Sequence, residues 1–307
     1  MQKRWWATGL LIPGLLWFQR KRLTQSIINP SDLRGQCILV TGASTGIGFA
    51  VVKALAEAEV HVFATVRKTS DAERLSALSA NITPLIMDVT KPEQITTAVE
   101  NVREQLQEKT LNALINNAGI AVAGPLEHLP LEDLRWQFEV NVMGLVEVTQ
   151  RFLPLLSETG KVINISSISG KTTQPFLGAY SASKHAVEAL SDALRREFVM
   201  TGSQRDVIVI QPGKINTPIW DKAEQIDLAP YENTPYFELG QKIKALTLDE
   251  GRQGAPASKV ADAVVQILLR KKNPSRYVVS QNWTEEIIVP RTLPPRWLDS
   301  VMKRFFK

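Results

Sequence analysis

Tyr180 and Lys184 stand four positions apart in Tyr180-Ser-Ala-Ser-Lys184, within a stretch of helical pattern. At that spacing two side chains share one face of a helix. A cation beside a phenol favours the phenolate, so the pair is expected to draw the Tyr180 pKa down from about 10 toward the working pH, as general acid/base chemistry requires. Ser167, thirteen positions earlier at the end of Asn164-Ile-Ser-Ser167, adds a hydroxyl. A second set of residues suits a phosphate ligand. Thr41-Gly-Ala-Ser-Thr-Gly-Ile-Gly48 follows an apolar run and precedes a helical pattern. Such a glycine-rich turn lets backbone approach a pyrophosphate while the helix N-terminus offers free N–H groups. Gly42, Gly46 and Gly48 do not have the spacing of the general dinucleotide fingerprint, and a purely structural turn is the alternative for this motif alone. Further along, Val66-Arg67-Lys68 ends an apolar run where dinucleotide folds carry an acid for the ribose hydroxyls. A base there accommodates a 2′-phosphate, and Arg67 can do so bidentately. NADP(H) is therefore preferred and NAD(H) possible; the bland reading is that Arg67 and Lys68 begin a solvated loop.

These groups must be held by some scaffold. Short apolar runs at Cys37–Val40, 60–66, 82–87, 113–115, 161–166, 207–211 and Arg276–Val279 alternate with helical patterns at 48–59, 92–107, 132–156, 181–200 and 258–269. Strands separated by crossover helices pair in parallel, and right-handed crossovers then give an α/β fold, a doubly wound parallel sheet (Rossmann) with helices on both faces. The continuous apolar character of the runs suits strands covered on both sides. Residues 218–257 interrupt the rhythm with Trp220, Tyr231, Tyr236, Phe237 and several prolines, and read as an irregular substrate loop or as the core of a small lobe. The single cysteine, Cys37, excludes an internal disulfide and reads as a buried small hydrophobe. His61, His128 and His185 lack metal-ligand spacing, so no metal site is expected.

The whole set, in this order and spacing, resembles the short-chain dehydrogenase/reductase family in its single-domain form, over residues 34–285. The resemblance implies a cofactor set made of Gly42, Ser44, Thr45, Gly46, Ile47 and Gly48 in the turn, Arg67 and Lys68, and Asp88 with Val89 at the adenine. It adds Asn117, Ala118 and Gly119 of Asn116-Asn-Ala-Gly119, Tyr180 and Lys184, and Pro212, Gly213, Ile215 and Thr217 of the P-G-x-x-x-T segment. It implies a catalytic tetrad of Asn141, Ser167, Tyr180 and Lys184. Hydride would pass between the nicotinamide and a carbonyl or secondary alcohol. Tyr180 would be the proton donor or acceptor, with Ser167 bonding the same oxygen, Lys184 holding the nicotinamide ribose and Asn141 anchoring a proton relay. Many NADP-preferring members carry a base just before the second glycine of the turn, where this chain has Thr45. Residues 126–141 and 217–222 resemble hydroxysteroid and retinol dehydrogenases and bacterial relatives, which implies a small apolar carbonyl or alcohol substrate of lipid, steroid or retinoid type. The family also implies a homo-oligomer, dimer or tetramer, through the helices that carry Asn141 and Tyr180. An NAD-dependent alcohol dehydrogenase and a non-catalytic nucleotide sensor are the competing readings.

Charge distribution bears on partners. The formal charge is +5, and Lys3, Arg4, Arg20, Lys21 and Arg22 account for all of it. The excess flanks an apolar run from Trp5 to Phe18 instead of covering a face, which argues against a nucleic-acid partner. That run is short for a span, and residues 1–22 are read as an uncleaved membrane-associating segment or as a solvent-exposed or self-packed extension. Residues 291–307 form a basic amphipathic helix that docks on its own domain, on a sister subunit or on lipid. The expected location is membrane-associated, with the catalytic domain cytoplasmic.

Overall fold

The structure, a computed structural model, describes residues 30–220 and 227–306. The 1–22 segment lies outside the described residues, and no helix among those described is long and apolar enough to cross a membrane.

Seven strands form one parallel sheet: β1 (Cys37–Val40), β2 (His61–Val66), β3 (Ile82–Ile86), β4 (Leu111–Asn116), β5 (Leu156–Ile165), β6 (Asp206–Pro212) and β9 (Arg276–Val279). Their order is β3-β2-β1-β4-β5-β6-β9. The chain moves outward from β1 in one direction and, from β4 onward, in the other, so a crevice opens between the C-terminal ends of β1 and β4. Alternate residues of β1 serve opposite faces. Ile38 and Val40 pack with α1 (Gly46–Glu57) and α8 (Ser258–Leu269), through Val51, Leu55, Val260 and Val264. Cys37 and Leu39 pack with α3 (Pro92–Leu106) and α5 (Gly144–Phe152), through Val99, Val102, Val148 and Phe152. The sheet is therefore covered on both sides, as its apolar strands require. Lys161 on β5 reaches the end of α8 and donates to the carbonyls of Ile267, Leu268 and Arg270 at 2.9, 2.8 and 2.8 Å, satisfying acceptors that a helix C-terminus leaves over.

Three departures from the sequence reading matter for the site. A helix α2 (Thr69–Ser76) follows β2 directly, where no element was expected. The expected helix 132–156 is four pieces, α4 (Leu131–Phe138), a π turn (Glu139–Met143), α5 and a 3-10 turn (Leu153–Leu155), and β5 already begins at Leu156. Within 218–257, expected to be irregular, Tyr236–Arg252 is a 17-residue helix, α7. Two short strands, β7 (Ile215–Asn216) and β8 (Ala255–Pro256), pair in parallel and close that segment at its base. Beyond β9, the amphipathic helix α9 (Pro295–Phe306) packs against α7.

Candidate active site

Strand β1 delivers the glycine turn to the crevice, and β4 delivers Asn117 and Ala118 beside it. The two are laced together. Thr41, buried, accepts through Oγ1 from the backbone N–H groups of Asn117 and Ala118, both at 3.0 Å. Asn117 Nδ2 donates to the carbonyls of Thr41 and Gly42 at 2.9 and 3.0 Å. Gly42 has φ +66°, and a Cβ there would lie 2.8 Å from the Cα of Ala118. At Gly48 a Cβ would meet the Gly42 carbonyl at 2.3 Å and Asn117 Nδ2 at 2.4 Å. A side chain at Gly42 would push the turn off Ala118, and one at Gly48 would drive α1 off the turn. Thr45 precedes α1 with extended backbone and its side chain does not cap the helix, so the first-turn N–H groups stay open to an anion. Gly46, with Ser44 and Ile47 on either side, faces Thr217, whose Cβ would be 3.3 Å from a Cβ on Gly46. The glycine turn and the 212–217 segment thus meet across one cleft, and this glycine cradle fits a dinucleotide pyrophosphate.

Where the adenosine is expected, Arg67 is exposed and its Nη1 lies 4.0 Å from Asp88 Oδ2. Asp88 also accepts from the Thr90 N–H and hydroxyl at 3.0 and 2.8 Å, and Val89 packs beneath it, buried. Lys68 begins α2, its carbonyl accepting from Asp71 and Ala72. Sequence reasoning missed Arg74, because it missed α2. The Arg74 guanidinium donates to the Ser44 carbonyl and to Asp71, and stands 5.6 Å over the Phe49 ring. A third cation thus touches the turn beside Thr45, where the sequence lacks a base.

The tetrad converges from three elements. Ser167 follows β5 and holds a short turn by accepting from the Ser169 N–H at 3.1 Å; its hydroxyl also lies 3.5 Å from the Pro212 carbonyl. Tyr180 and Lys184 sit on α6 (Gly178–Met200). Lys184 is buried, donates to the Ile165 carbonyl at 2.8 Å and lies 5.9 Å from the centre of the Tyr180 ring. Asn141 comes from the π turn, a distortion found often at functional sites. Its amide accepts from the Ile120 N–H at 2.8 Å and donates to the Ile120 carbonyl and Ser183 Oγ at 3.0 and 3.1 Å. Gln137 clips the same loop after β4 through Val122 and Ile120. Gly119 leads into it, 3.3 Å from Asn141 Oδ1 at a Cβ position.

The electrostatics differ from expectation in one respect. Burial pushes the Tyr180 phenol above its usual 10, with a hydrogen bond from Ser167 working the other way. The expected depression is absent because the ammonium is turned to the Ile165 carbonyl and because desolvation acts on the phenolate first. Burial also draws Lys184 down to about 8, opposed by the charge of Glu188. At neutral pH the ligand-free site thus holds a protonated phenol beside a charged lysine.

Beyond the start of α6 is an aromatic wall. Phe176 has φ +66° and its carbonyl accepts from Gly124 at 2.8 Å. Tyr236 of α7 stacks edgewise on Phe176 and His128, at 6.2 and 5.4 Å between ring centres, and donates to Glu127 at 2.6 Å. Leu126, 67% exposed, lies against Gly178. Among the described residues no group of three His, Cys, Asp or Glu could hold a metal ion.

Known proteins resemble this chain over most of its length. The chain is 38% identical over 276 residues to the NADPH-dependent 3-dehydrocapnine reductase of Ornithobacterium rhinotracheale, covering 88% of this chain and 96% of that one. It is 33% identical to the 3-ketodihydrosphingosine reductase of Bacteroides thetaiotaomicron, covering 80% and 87%. The crystal structure of a short chain dehydrogenase from Burkholderia cenocepacia in complex with NADP matches with a TM-score of 0.65 at 26% identity, over 87% of this chain and 97% of that one. The short chain dehydrogenase family model matches residues 36–227, the stretch that holds both the glycine turn and the tetrad, and the chain belongs to that family of oxidoreductases.

Proposed function

We propose that this chain is an NADPH-dependent reductase that converts a ketone on an apolar, lipid-like molecule to the secondary alcohol. The observation that carries the chemistry is the convergence of Ser167, Tyr180 and Lys184 at one point, and the reductive direction is supported by the relatives named as reductases. In that direction Tyr180 would give its phenol proton to the developing alkoxide. Ser167 and Tyr180 would both donate to the substrate oxygen, stabilising charge where it appears. Lys184 would hold the nicotinamide ribose and neutralise the phenolate left behind, while Asn141 keeps the loop at Ile120 in place. When bound, the cofactor supplies hydride at its nicotinamide C4. Arg67 and Lys68 would take its 2′-phosphate, with Arg74 beside them; the relative named for NADPH dependence supports that preference, and NAD(H) remains the alternative to test.

The apolar substrate rests on the wall of Leu126, Phe176, Tyr231 and Tyr236, and is supported by the reductase relatives named for 3-dehydrocapnine and 3-ketodihydrosphingosine. A screen with NADPH over 3-keto lipids, steroids, retinoids and small polar carbonyls tests it. Turnover confined to the polar compounds defeats the lipid reading. Tyr180→Phe should lower turnover by two to four orders of magnitude, the usual share of general acid catalysis, while NADPH affinity stays close to that of the parent chain. Near-normal turnover in that variant removes Tyr180 from the mechanism.

A lipid surface is the second partner we propose. On α9, Trp297 and Val301 are 66% and 50% exposed one turn apart, with Arg296, Lys303 and Arg304 around them. That combination suits an anionic membrane, with the catalytic domain on the cytoplasmic side. A homo-oligomer is proposed from Trp136, Met143 and Leu190, large apolar side chains exposed on α4, the π turn and α6. Sedimentation of the full chain with and without anionic vesicles tests both at once.

A further inference from the structure

Glu286 lies in a short π turn, Thr284–Ile288, that follows β9, and its Oε2 is so close to Gly213 that a Cβ there would collide with it. Ser280 donates to the same oxygen at 2.7 Å, and the Ser280 hydroxyl accepts from the Asn282 N–H at 3.1 Å. The other oxygen, Oε1, accepts from no group among the described residues, and no Lys, Arg or His among them pairs with the carboxylate. Nor is that oxygen sealed in. The side chain is half-buried, and the enclosed polar atoms without a partner among the described residues are Asn116 Oδ1, Ser166 Oγ and Ser181 Oγ. One carboxylate oxygen is thus anchored and the other is open. We propose that Glu286 reads a cationic amino group of the substrate, placed on the first or second carbon from the ketone. The inference deepens the ketone-reductase reading and rests on it.

The place of the acid relative to the catalytic hydroxyl sets that spacing. The Pro212 carbonyl oxygen is 3.5 Å from Ser167 Oγ, and Gly213, on which the carboxylate rests, is the next residue. Across one planar peptide of standard dimensions, the anchored oxygen is then at most about 10 Å from the Ser167 hydroxyl. A substrate carbonyl bonded to Ser167 and an ammonium bonded to Glu286 each take up about 3 Å of that interval. For a substrate lying between them, about 4 Å or less is left from the carbonyl oxygen to the nitrogen, the span of one or two carbons.

Charge gives the reason for a cation. Reduction of a ketone puts negative charge on its oxygen, and a carboxylate about 10 Å away opposes this by roughly tenfold at an effective dielectric of about 20. An ammonium on the substrate removes that opposition and adds a charge-assisted hydrogen bond at the open Oε1. A substrate without the amine would instead shield a half-buried carboxylate from water and leave it unpaired, which costs free energy.

The test uses the full chain with NADPH and compares the α-aminoketone and the α-hydroxyketone of one fourteen-carbon chain, as the ratio of their kcat/KM values within each variant. The parent should favour the aminoketone by about ten- to a hundredfold, the worth of a hydrogen bond to a charged group. Glu286→Gln keeps the volume of the side chain and loses its charge, and should bring the ratio close to one. A general loss of activity cancels in that ratio. Equal kcat/KM for the two ketones in the parent overturns the proposal, and so does a preference that Glu286→Gln leaves in place. If Glu286→Gln does not fold, Ser280→Ala, which removes the anchor of the carboxylate, decides in its stead, and an unchanged ratio is then the refutation. Binding separates this inference from the reading beneath it. Quenching of tryptophan fluorescence by the fourteen-carbon α-amino alcohol and by the matching diol should show the same preference. That preference without turnover of either ketone defeats the reductase reading alone, and its absence defeats the role of Glu286.

Discussion

Replacing Thr41 by valine removes one hydroxyl and almost no volume, yet that hydroxyl joins β1 to β4 under the glycine turn. Its oxygen accepts two backbone N–H groups, from Asn117 and Ala118, at 3.0 Å each. A buried donor left without a partner costs about 1–3 kcal/mol. Both donors belong to half-buried residues, so the lower end applies, and the pair sums to about 2–3 kcal/mol. The loss should appear as a lower urea midpoint at unchanged slope, followed by tryptophan fluorescence. Thr41→Ser keeps the oxygen and should lie close to the parent. Because the same two bonds set the height of the turn, Thr41→Val should also bind NADPH at least about tenfold more weakly, the equivalent of 1.4 kcal/mol. If Thr41→Val unfolds within about 0.5 kcal/mol of the parent, the range of an inconsequential surface change, the turn is not held by this hydroxyl and the reasoning fails.

Three further outcomes follow from the same geometry. Arg67→Ala should weaken NADPH by about ten- to a hundredfold, the worth of a hydrogen bond to a charged group, and leave NADH unchanged in parallel titrations; equal losses for both nucleotides would place the 2′-phosphate elsewhere. Gly213→Ala should displace Glu286, since a Cβ there would stand 1.9 Å from its carboxylate oxygen, and break the 2.7 Å bond from Ser280; a crystal structure of the variant with Glu286 in place would contradict this. Lys184 has a folded pKa of about 8 against 10.5 for an unperturbed lysine, so the unfolded chain binds more protons between these values. Stability should then be greatest above 10.5 and be lost as pH falls through about 8, and Lys184→Met should abolish the gain between pH 7.5 and 9.5. Urea midpoints that rise equally in parent and variant would refute it.

The fold class was legible because each strand is a short apolar run between turns, and the runs at Cys37–Val40 and Arg276–Val279 have the limits seen in the structure. Helix α2 escaped because it is only eight residues long and buries one side chain, Leu75, too short a stretch for a pattern to stand out. Arg74 was hidden with it. The break at Glu139–Met143 has no local signal, since nothing in Glu-Val-Asn-Val-Met forbids a regular helix; it comes from the tertiary bonds of Asn141 and Gln137 to Ile120 and Val122. Spacing could place Tyr180 and Lys184 on one face, but the direction of the lysine toward Ile165 depends on where β5 ends. Glu188 looked like any helical glutamate, because its burial is made by Arg276 and Gln211, far off in the chain.

The aromatic wall and the glycine turn are built in opposite ways. The turn is knitted by bonds of the Thr41 hydroxyl and the Asn117 amide to main chain at the ends of two neighbouring strands. The wall is made of ring contacts among three segments, around 124–128, at Phe176 and from Tyr231 into α7, with no strand running through it. On the proposed reading, changes there should alter what the cleft admits and spare the parts that hold the nucleotide. Keeping a reagent and choosing a reactant then fall to different walls of the cleft, although their residues interleave along the chain. A chimera exchanging residues 228–252 with those of a relative should inherit the relative's substrate range while keeping its own nucleotide preference.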